Sequence, residues 1–344
     1  MSEPHGFFVM CVRATIGSMR KKRRKKRKIV RSIIIGISSL AALVIISFAV
    51  PETSDSGEAR MVRADAGANA EEIVESLYGE GYIRNPFHRE ILTLVGKLTK
   101  SIKAGTYELK VGMSAWETYL ALTHPNQQWI RLEEGYRKEQ MAEVLAKKLA
   151  WSADQKSEFE NVHIKLKRKN MEGYYFPSYY LVGKTSTPSD VGEQMIGRLE
   201  DHIKSKYKEK DILNIDVVLA IASLIQREAS GKGDMELISG IIWNRLFKGM
   251  NLDIDATLQY AKGNARNGWW PRVRASDKDI DSPYNTYEHA GLPPTPIANP
   301  GPAAIQAAYN PKKTKCLFYI HDKRKRIHCS ETYKDHQALI KKYL

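Results

Sequence analysis

Apolar residues recur at helical spacing through the first third of the chain, interrupted by glycines and by one alternating stretch. Spacings of three and four residues predict helices, whereas strict alternation predicts a strand. Ser114 follows a turn and stands where a helix N-cap is expected. The elements predicted in this way are helices at 70–78, 86–98 and 115–122 and a strand at 105–109. Together they predict a small α+β unit over residues 61–126.

From residue 127 onward, longer helical patterns alternate with loops rich in special residues. Residues 127–170 predict a connecting strand and helices, and residues 171–344 predict a second, mixed α/β domain with proline-rich loops. The predicted elements are a strand at 129–132 and helices at 138–149, 156–169, 217–228 and 238–247. The fold as a whole is therefore expected to be of the α+β class.

The predicted helix 217–228 is the most informative segment, because its apolar stripe ends in a carboxylate. Counting from Ile221 as position i, Leu224 and Ile225 lie at i+3 and i+4, and Glu228 lies at i+7. At the helical period, Glu228 therefore shares one face with these three aliphatic residues. A carboxyl group held against apolar neighbours has a raised pKa, and it can then donate a proton near neutral pH. The alternative is that Glu228, just before a glycine-rich turn, reaches solvent.

An uncharged apolar stretch at residues 33–50 predicts a membrane-spanning helix. As a helix it is roughly 27 Å long, close to the hydrocarbon thickness of a bilayer. The basic block at 20–28 precedes it, and positive charge stays on the cytoplasmic side. We therefore expect residues 1–32 to be a cytoplasmic tail, residues 51–60 a tether, and the rest to lie outside the cytoplasmic membrane. A cleaved signal peptide is the alternative, although no clear cleavage site follows the apolar stretch.

The net charge of +15 is concentrated in the basic tail. Residues 1–31 hold eleven Lys and Arg against one acid, which leaves only +5 for the remainder. Because the basic block adjoins an apolar segment, the charge indicates membrane topology and no nucleic-acid partner. Cys and His spacings typical of a metal site are lacking, as are phosphate-binding glycine loops and Gly-x-Ser-x-Gly turns. We therefore expect no metal and no organic cofactor.

Two of the three cysteines bracket a pair of apolar-rich runs around a polar turn. Cys316 precedes residues 317–320, and Cys329 follows residues 326–328. If these runs form a hairpin, the two thiols lie on neighbouring strands of an exported domain, where a disulfide is permitted. Cross-strand pairing also needs the right register, so the sequence leaves the disulfide open.

The stretch 282–301 is rich in proline, tyrosine, asparagine and threonine. Proline fixes the backbone, and rigid loops carrying Tyr, Asn and Thr suit a polar, ring-shaped ligand such as a sugar. A purely structural proline-rich loop with surface tyrosines is the alternative. The candidate ligand-binding residues, two of them from neighbouring segments, are Tyr284, Asn285, Thr286, Gln259 and Asn244.

Five motifs follow one another at residues 222–229, 244–246, 255–260, 282–287 and 291–301, with the sequences ASLIQREA, NRL, DATLQY, SPYNTY and GLPPTPIANPG. Upstream, KAGTY, EEG and MEGY occur at 103–107, 133–135 and 171–174. In this order and spacing the motifs resemble the YceG-like family of membrane-anchored endolytic murein transglycosylases. The resemblance covers roughly residues 60–344.

The resemblance implies a single transmembrane helix, a LysM-like peptidoglycan-binding subdomain at 61–126 and a catalytic domain at 171–344. The family's catalytic glutamate maps to Glu228, whereas Gln226 stands where the family motif has its first acid. The implied substrate is the peptidoglycan glycan strand, and the membrane and peptidoglycan synthases are the implied partners. The short tether favours nascent strands near the membrane.

A lytic transglycosylase needs one carboxyl group that works twice. As an acid, Glu228 would protonate the oxygen between N-acetylmuramic acid and N-acetylglucosamine; as a base, it would take the proton of the muramoyl C6 hydroxyl, which closes a 1,6-anhydro ring. Two alternatives stay open: a non-catalytic, membrane-anchored peptidoglycan-binding protein, and a muramidase that hydrolyses the same bond. Hydrolysis needs a second carboxylate about 5–9 Å away, for which the candidates are Asp253, Asp255 and Glu288.

Overall fold

The computed structural model describes residues 59–161, 170–207 and 214–344. The chain divides into two compact units, with the boundary between Asn126 and Gln127. The predicted basic tail, the predicted membrane-spanning segment and most of the predicted tether lie outside the described residues. Within the described ranges, no helix combines the length and the apolar character that crossing a bilayer requires.

The first unit is a small α+β fold around one apolar core. Its elements are β1 (Arg60–Arg63), α1 (Ala70–Gly79), α2 (Pro86–Thr99), β2 (Gly105–Leu109) and α3 (Ala115–Thr123). β1 and β2 are antiparallel, with Val62 opposite Tyr107, and both side chains are buried against α1 and α2. Ser114 caps α3 by accepting the N–H of Glu117 at 3.2 Å. The helices and the strand predicted here are confirmed to within two residues.

The second unit is also mixed, with helices in the majority. Its strands are β3 (Gln127–Arg131), β4 (Tyr179–Gly183), β5 (Phe318–His321) and β6 (Ile327–Ser330), paired antiparallel as β3 with β4 and β5 with β6. Its helices are α4 (Lys138–Leu149), α5 (Ala153–Asn161), α6 (Pro188–Lys206), α7 (Ile215–Glu228), α8 (Lys232–Phe247), α9 (Asp255–Lys262), α10 (Pro302–Tyr309) and α11 (Tyr333–Tyr343). The predicted connection 127–170 contributes β3, α4 and α5 to the same core as the later helices.

Four of these helices, α6, α9, α10 and α11, lie where no helix is predicted. α6 carries a clear signal, since Val191, Met195 and Leu199 recur every four residues and are buried. α9 and α10 have only eight residues each, too few for periodicity to distinguish a helix from a loop. The predicted helix 156–169 corresponds to α5 as far as Asn161, and the residues after it lie outside the described ranges.

α7 runs through the core of the second unit. All residues from Val218 to Ile225 are buried, and α7 packs against α8, α9 and α10. A helix that is apolar around most of its circumference is stable only when neighbours enclose it. Asn214 caps its start by accepting the N–H of Asp216 at 2.9 Å. The helix ends at Glu228, because Ala229 adopts extended backbone, and the carboxylate therefore lies at the edge of the core.

Asn299 joins loops that are far apart in the sequence. Its Oδ1 accepts the N–H groups of Gly173 and Tyr175, at 2.9 and 3.0 Å. Its Nδ2 donates to the carbonyl of Tyr136 and to Oε1 of Glu172, at 3.0 and 2.9 Å. Because Asn299 is fully buried, these bonds satisfy an amide that would otherwise destabilise the core.

The proline-rich loop 291–301 packs closely on its neighbours. Gly173 has φ +89°, and a Cβ at this position would lie 2.5 Å from the side chain of Pro296, so the site requires glycine. Ser223 of α7 accepts the N–H of Ile297 at 3.0 Å. The upstream sequences EEG and MEGY therefore meet the proline-rich loop beside α7, where they build the framework of the unit.

A disulfide closes the β5–β6 hairpin. Cys316 and Cys329 are bonded, with their Cα atoms 5.8 Å apart. The register places Tyr319 opposite Cys329. Asn244 of α8 donates to the carbonyls of Thr314 and Cys316, at 2.8 and 3.1 Å, and so attaches the start of the hairpin to α8. The disulfide that the sequence leaves open is thus formed, and it fixes β5 beside the end of α7.

Candidate active site

Glu228 lies where α7, α9 and β5 meet. The hydroxyl of Tyr319 on β5 donates to Oε2 of Glu228 at 2.6 Å. The backbone N–H of Ala256, in the first turn of α9, also donates to the Glu228 carboxyl group. The free N–H groups and the dipole of a helix N-terminus both favour a negative charge there. The carboxyl group is thus held by two donors from two different elements, and the residue stays partly exposed.

The environment of Glu228 favours the protonated form. Burial raises the pKa of its carboxyl group, and the nearby Asp255 raises it further, while the Tyr319 hydroxyl, His321 and the Ala256 N–H oppose the shift. The net direction is upward. A carboxyl group with a raised pKa keeps its proton to higher pH than an exposed one, and it can therefore serve as a general acid near neutral pH.

Asp255 is the neighbouring carboxylate. It is the first residue of α9 and is exposed, and its Oδ1 accepts the hydroxyl proton of Tyr287 at 2.7 Å. Burial raises the pKa values of Tyr287 and Tyr319, so both phenols stay protonated and act as donors. Each carboxyl group of the pair is therefore oriented by its own tyrosine.

His321 completes the β5 side of the site. It is two residues beyond Tyr319, on the same face of the strand, and its Nε2 lies 3.1 Å from Oδ2 of Asp234 at the start of α8. The described residues contain no cluster of three or more His, Cys, Asp or Glu side chains that could hold a metal ion.

Tyr284, the first of the predicted ligand-binding residues, faces the proline-rich loop. Its hydroxyl lies 2.8 Å from Oγ1 of Thr295, and its ring centroid is 4.8 Å from that of Tyr260. Thr295 lines a cavity of about 390 Å³ at the start of α7. At 1.5 Å per residue, that end of the helix is roughly 15–20 Å from Glu228. The tyrosine that the structure brings to the carboxyl pair is Tyr287, three residues later.

Asn285 and Thr286 are buried and bonded to protein groups. The amide of Asn285 donates to the carbonyls of Lys278 and Ile280, at 2.8 and 2.9 Å, and its Oδ1 accepts the N–H of Tyr287 at 3.0 Å. The Thr286 hydroxyl accepts the N–H of Ile254 at 3.1 Å. These contacts hold the loop that carries Tyr287, and a direct contact with a ligand stays a prediction for both residues.

Asn244 and Gln259 have different surroundings. The Asn244 amide is bonded to the two carbonyls ahead of β5, as described above. Gln259 is partly exposed on α9 and lies four residues after Asp255, which places both on one face of the helix. Of the predicted ligand-binding residues, Gln259 is the one whose position on α9 aligns it with the carboxyl pair.

Comparison with known proteins identifies the family of the chain. The model of the YceG-like family matches residues 62–342. The chain belongs to the YceG-like family. The match contains the motifs around Glu228 and Asp255 as well as the β5–β6 hairpin, so the whole site lies within the family's common region.

Relatives of known name point the same way. An endolytic murein transglycosylase of Bacillus subtilis is 31% identical over 273 residues, which are 72% of this chain and 75% of that protein. One of Streptococcus pneumoniae is 30% identical over 182 residues, covering 52% of this chain and 33% of the relative. A crystal structure of a YceG-like protein from Listeria monocytogenes superposes with a TM-score of 0.51 at 26% identity, covering 82% of this chain and 99% of that one.

Gln226, which the resemblance places at the position of the motif's first acid, is bonded to the proline-rich loop. Its Oε1 accepts the N–H of Gly301 at 2.9 Å. An amide oxygen and a carboxylate oxygen are both acceptors for such a bond, so glutamine can hold this loop where the family motif has an acid. The residue at 226 thereby acts on the proline-rich loop, and Glu228 is the acid of this motif.

Three residues of the site escape sequence reasoning: Tyr319, Tyr287 and His321. Tyr319 and His321 belong to an apolar-rich strand in which nothing marks a polar role, and Tyr319 is 91 residues from Glu228. Tyr287 is part of a quoted motif, but the position of its hydroxyl depends on how the loop folds. Asp255 is among the three candidate second acids. Of the other two, Asp253 pairs with Arg245 at 2.9 Å, and Glu288 is exposed.

Proposed function

We propose that this chain is a membrane-anchored endolytic murein transglycosylase in which Glu228 is the catalytic acid and base. The observation that carries the proposal is the position of Glu228, enclosed at the end of α7 and held by Tyr319 and the start of α9. The relatives from Bacillus and Streptococcus are named for this activity. The substrate is the bond between N-acetylmuramic acid and N-acetylglucosamine in glycan strands.

The reaction starts with proton donation. Protonated Glu228 gives its proton to the glycosidic oxygen, and the bond between that oxygen and muramoyl C1 breaks with its electron pair on the leaving sugar. The raised pKa keeps the acid form populated to higher pH than in an exposed glutamate. The Tyr319 hydroxyl holds Oε2 and so fixes the orientation of the carboxyl group.

The second step returns the proton. The muramoyl C6 hydroxyl attacks C1, and the Glu228 carboxylate takes the hydroxyl proton, which closes the 1,6-anhydro ring and restores the acid. One carboxyl group therefore performs both transfers, and no water is consumed. The N–H of Ala256 and the hydroxyl of Tyr319 stabilise Glu228 during the interval in which it is ionised.

A hydrolytic muramidase is the second candidate function, and Asp255 is the observation in its favour. Hydrolysis needs a carboxylate near the acid, and Asp255 is close enough to raise the pKa of Glu228. The names of the relatives favour the transglycosylase. The two functions differ in whether water enters the product.

We further propose roles for the residues around the pair. Gln259 contacts the glycan, because it shares a helical face with Asp255. Tyr284, Asn285, Thr286 and Asn244 act by fixing the loops through their contacts with protein groups.

The predicted span 33–50 is proposed as the membrane anchor, and the first unit as the LysM-like glycan-binding subdomain. In that unit Trp116 is exposed and stacks on Tyr119 with ring centroids 5.7 Å apart, a surface of the kind that packs against sugar rings. Nascent peptidoglycan near the membrane is the proposed substrate, with the peptidoglycan synthases as partners. The active site then faces outward from the cytoplasmic membrane.

Substitution of Glu228 tests the proposed function. Glu228→Gln keeps the size of the side chain and the acceptor for Tyr319 but cannot donate an acidic proton, so cleavage of uncross-linked glycan should fall roughly 10²–10⁴-fold. Strand binding, measured by co-sedimentation with insoluble glycan, should stay unchanged. The matched control is Glu236→Gln, an exposed glutamate of α8, which should cleave like the wild type. A Glu228→Gln variant with normal cleavage would overturn the proposal.

A further inference from the structure

Asp255 occupies a position that the single-carboxylate reaction leaves without a task. It is the residue before Ala256, whose N–H is bonded to the Glu228 carboxyl group, so the two acids flank the same point of the site. Asp255 is exposed, whereas Glu228 is only partly exposed. Asp255 is therefore accessible to a substrate that contacts Glu228.

The two acids are held in different ways. Glu228 accepts the Tyr319 hydroxyl from β5, and Asp255 accepts the Tyr287 hydroxyl from the 282–287 loop, at 2.6 and 2.7 Å. The bond from Tyr287 uses Oδ1 of Asp255 and leaves Oδ2 available. Two carboxyl groups that share a site but have different surroundings can take different roles in a reaction.

We propose that Asp255 is a second catalytic residue, whose carboxylate stabilises the positive charge that develops on the muramoyl ring while Glu228 transfers the proton. The inference rests on the proposed function. Breaking a glycosidic bond produces an oxocarbenium-like transition state, with positive charge shared between C1 and the ring oxygen. A fixed anion beside that charge lowers the barrier, because the site is already organised before the bond breaks.

The charges balance without any change at Asp255. The proton moves from Glu228 to the leaving oxygen, and the C1–O electron pair leaves with that oxygen. The C6 oxygen then forms the new bond to C1, and its proton goes to Glu228. Asp255 gains and loses nothing; it is the counter-ion of the cation between the two steps.

The groups that face Glu228 determine how the reaction depends on pH. From α9 these are Asp255 and the Ala256 N–H; from β5 they are Tyr319 and His321. Tyr287 and Asp234 lie one contact further away, against Asp255 and His321 respectively. On its own helix, Glu228 follows Arg227, whose guanidinium is stacked 3.8 Å above the Trp270 ring and is turned to that aromatic residue.

Two substitutions should move the pH profile in opposite directions. Asp255→Asn removes the negative neighbour that raises the pKa of Glu228, so the alkaline limb of kcat/KM should move to lower pH. Tyr319→Phe removes a donor that favours the ionised form, so the same limb should move to higher pH. A merely structural role for either residue would not produce opposite shifts.

The kcat of Asp255→Asn should also fall. Loss of a preorganised charge at the transition state costs about 10²–10³-fold in kcat, so Asp255→Asn should fall in that range with little change in KM. The matched control is Asp154→Asn, which changes an exposed aspartate in the first turn of another helix, α5. The control should keep the wild-type rate and pH profile.

Tyr287→Phe distinguishes a loss of catalysis from a folding defect that Asp255→Asn causes at the start of α9. It leaves Asp255 and the helix intact but frees the carboxylate, so kcat should fall by a smaller factor than with Asp255→Asn. If Asp255→Asn has the wild-type kcat at its own pH optimum, Asp255 is not catalytic whether or not the alkaline limb has moved, although the proposed function stands. If the wild type itself forms no anhydro ends, the proposed function fails first.

Discussion

Asn299 shows how much of the family's common sequence serves the framework at the level of a single residue. Its amide bonds four groups from the segments around Tyr136 and Gly173, and none of its polar atoms faces a ligand site. Asn285 likewise bonds three groups of its own loop. Both amides therefore help to fix the loops around the site.

Asn299→Ala should destabilise the second unit. The substitution leaves the buried N–H groups of Gly173 and Tyr175 without an acceptor, at a cost of about 1–3 kcal/mol for each group. Thermal and urea unfolding should therefore show a loss of at least about 2 kcal/mol. Asn310→Ala, which removes one exposed bond to the Gln306 carbonyl, is the control and should change stability by less than about 0.5 kcal/mol. Equal effects of the two variants would contradict the role given to Asn299.

Local pattern could predict Glu228, but its partners depend on tertiary structure. The stripe that ends in Glu228 is a property of twelve neighbouring residues, and the enclosed helix α7 follows from it. The contact with Tyr319 joins residues 91 positions apart, and no local signal specifies it. The role of Asn285 could have been predicted from the sequence. In many turns the side chain of asparagine accepts the N–H of the residue two positions later, and Asn285 does so here with Tyr287. This preference of asparagine favours the structural alternative for the loop.

At the level of elements, the β5–β6 hairpin positions the hydroxyl of Tyr319 against Glu228. Each strand has four residues, and a short hairpin alone is only marginally stable. The Cys316–Cys329 disulfide closes it, and Asn244 and Arg245 of α8 bind the carbonyls of Cys316 and Leu317, at 3.1 and 2.7 Å. The position of Tyr319 therefore depends on covalent closure and on α8.

Removing the disulfide should affect both stability and cleavage. The bridge joins residues 13 positions apart, and a loop of that size is worth about 3 kcal/mol of stability. The double variant Cys316→Ser with Cys329→Ser should unfold earlier and cleave more slowly, because Tyr319 is held less firmly. Reducing agent should slow the wild type in the same way and leave the double variant unchanged. A reductant effect on the double variant would assign the loss to another cause.

At the scale of the whole molecule, the two units have separate cores and separate proposed tasks. The first unit offers an exposed aromatic surface, and the second holds the carboxyl pair. The YceG-like structure from Listeria covers 82% of this chain, which extends the likeness over both units. The predicted anchor would keep both near the membrane, where new strands emerge.

The central claim is that Glu228 takes up the proton of the muramoyl C6 hydroxyl as that hydroxyl attacks C1, and that no water takes part. The most direct test is to digest uncross-linked glycan with the full chain in water labelled with heavy oxygen, and to weigh the new ends by mass spectrometry. The account predicts unlabelled 1,6-anhydromuramoyl ends, each lighter than a reducing end by one water, and none with Glu228→Gln. Reducing ends that carry the heavy oxygen would show hydrolysis and contradict it.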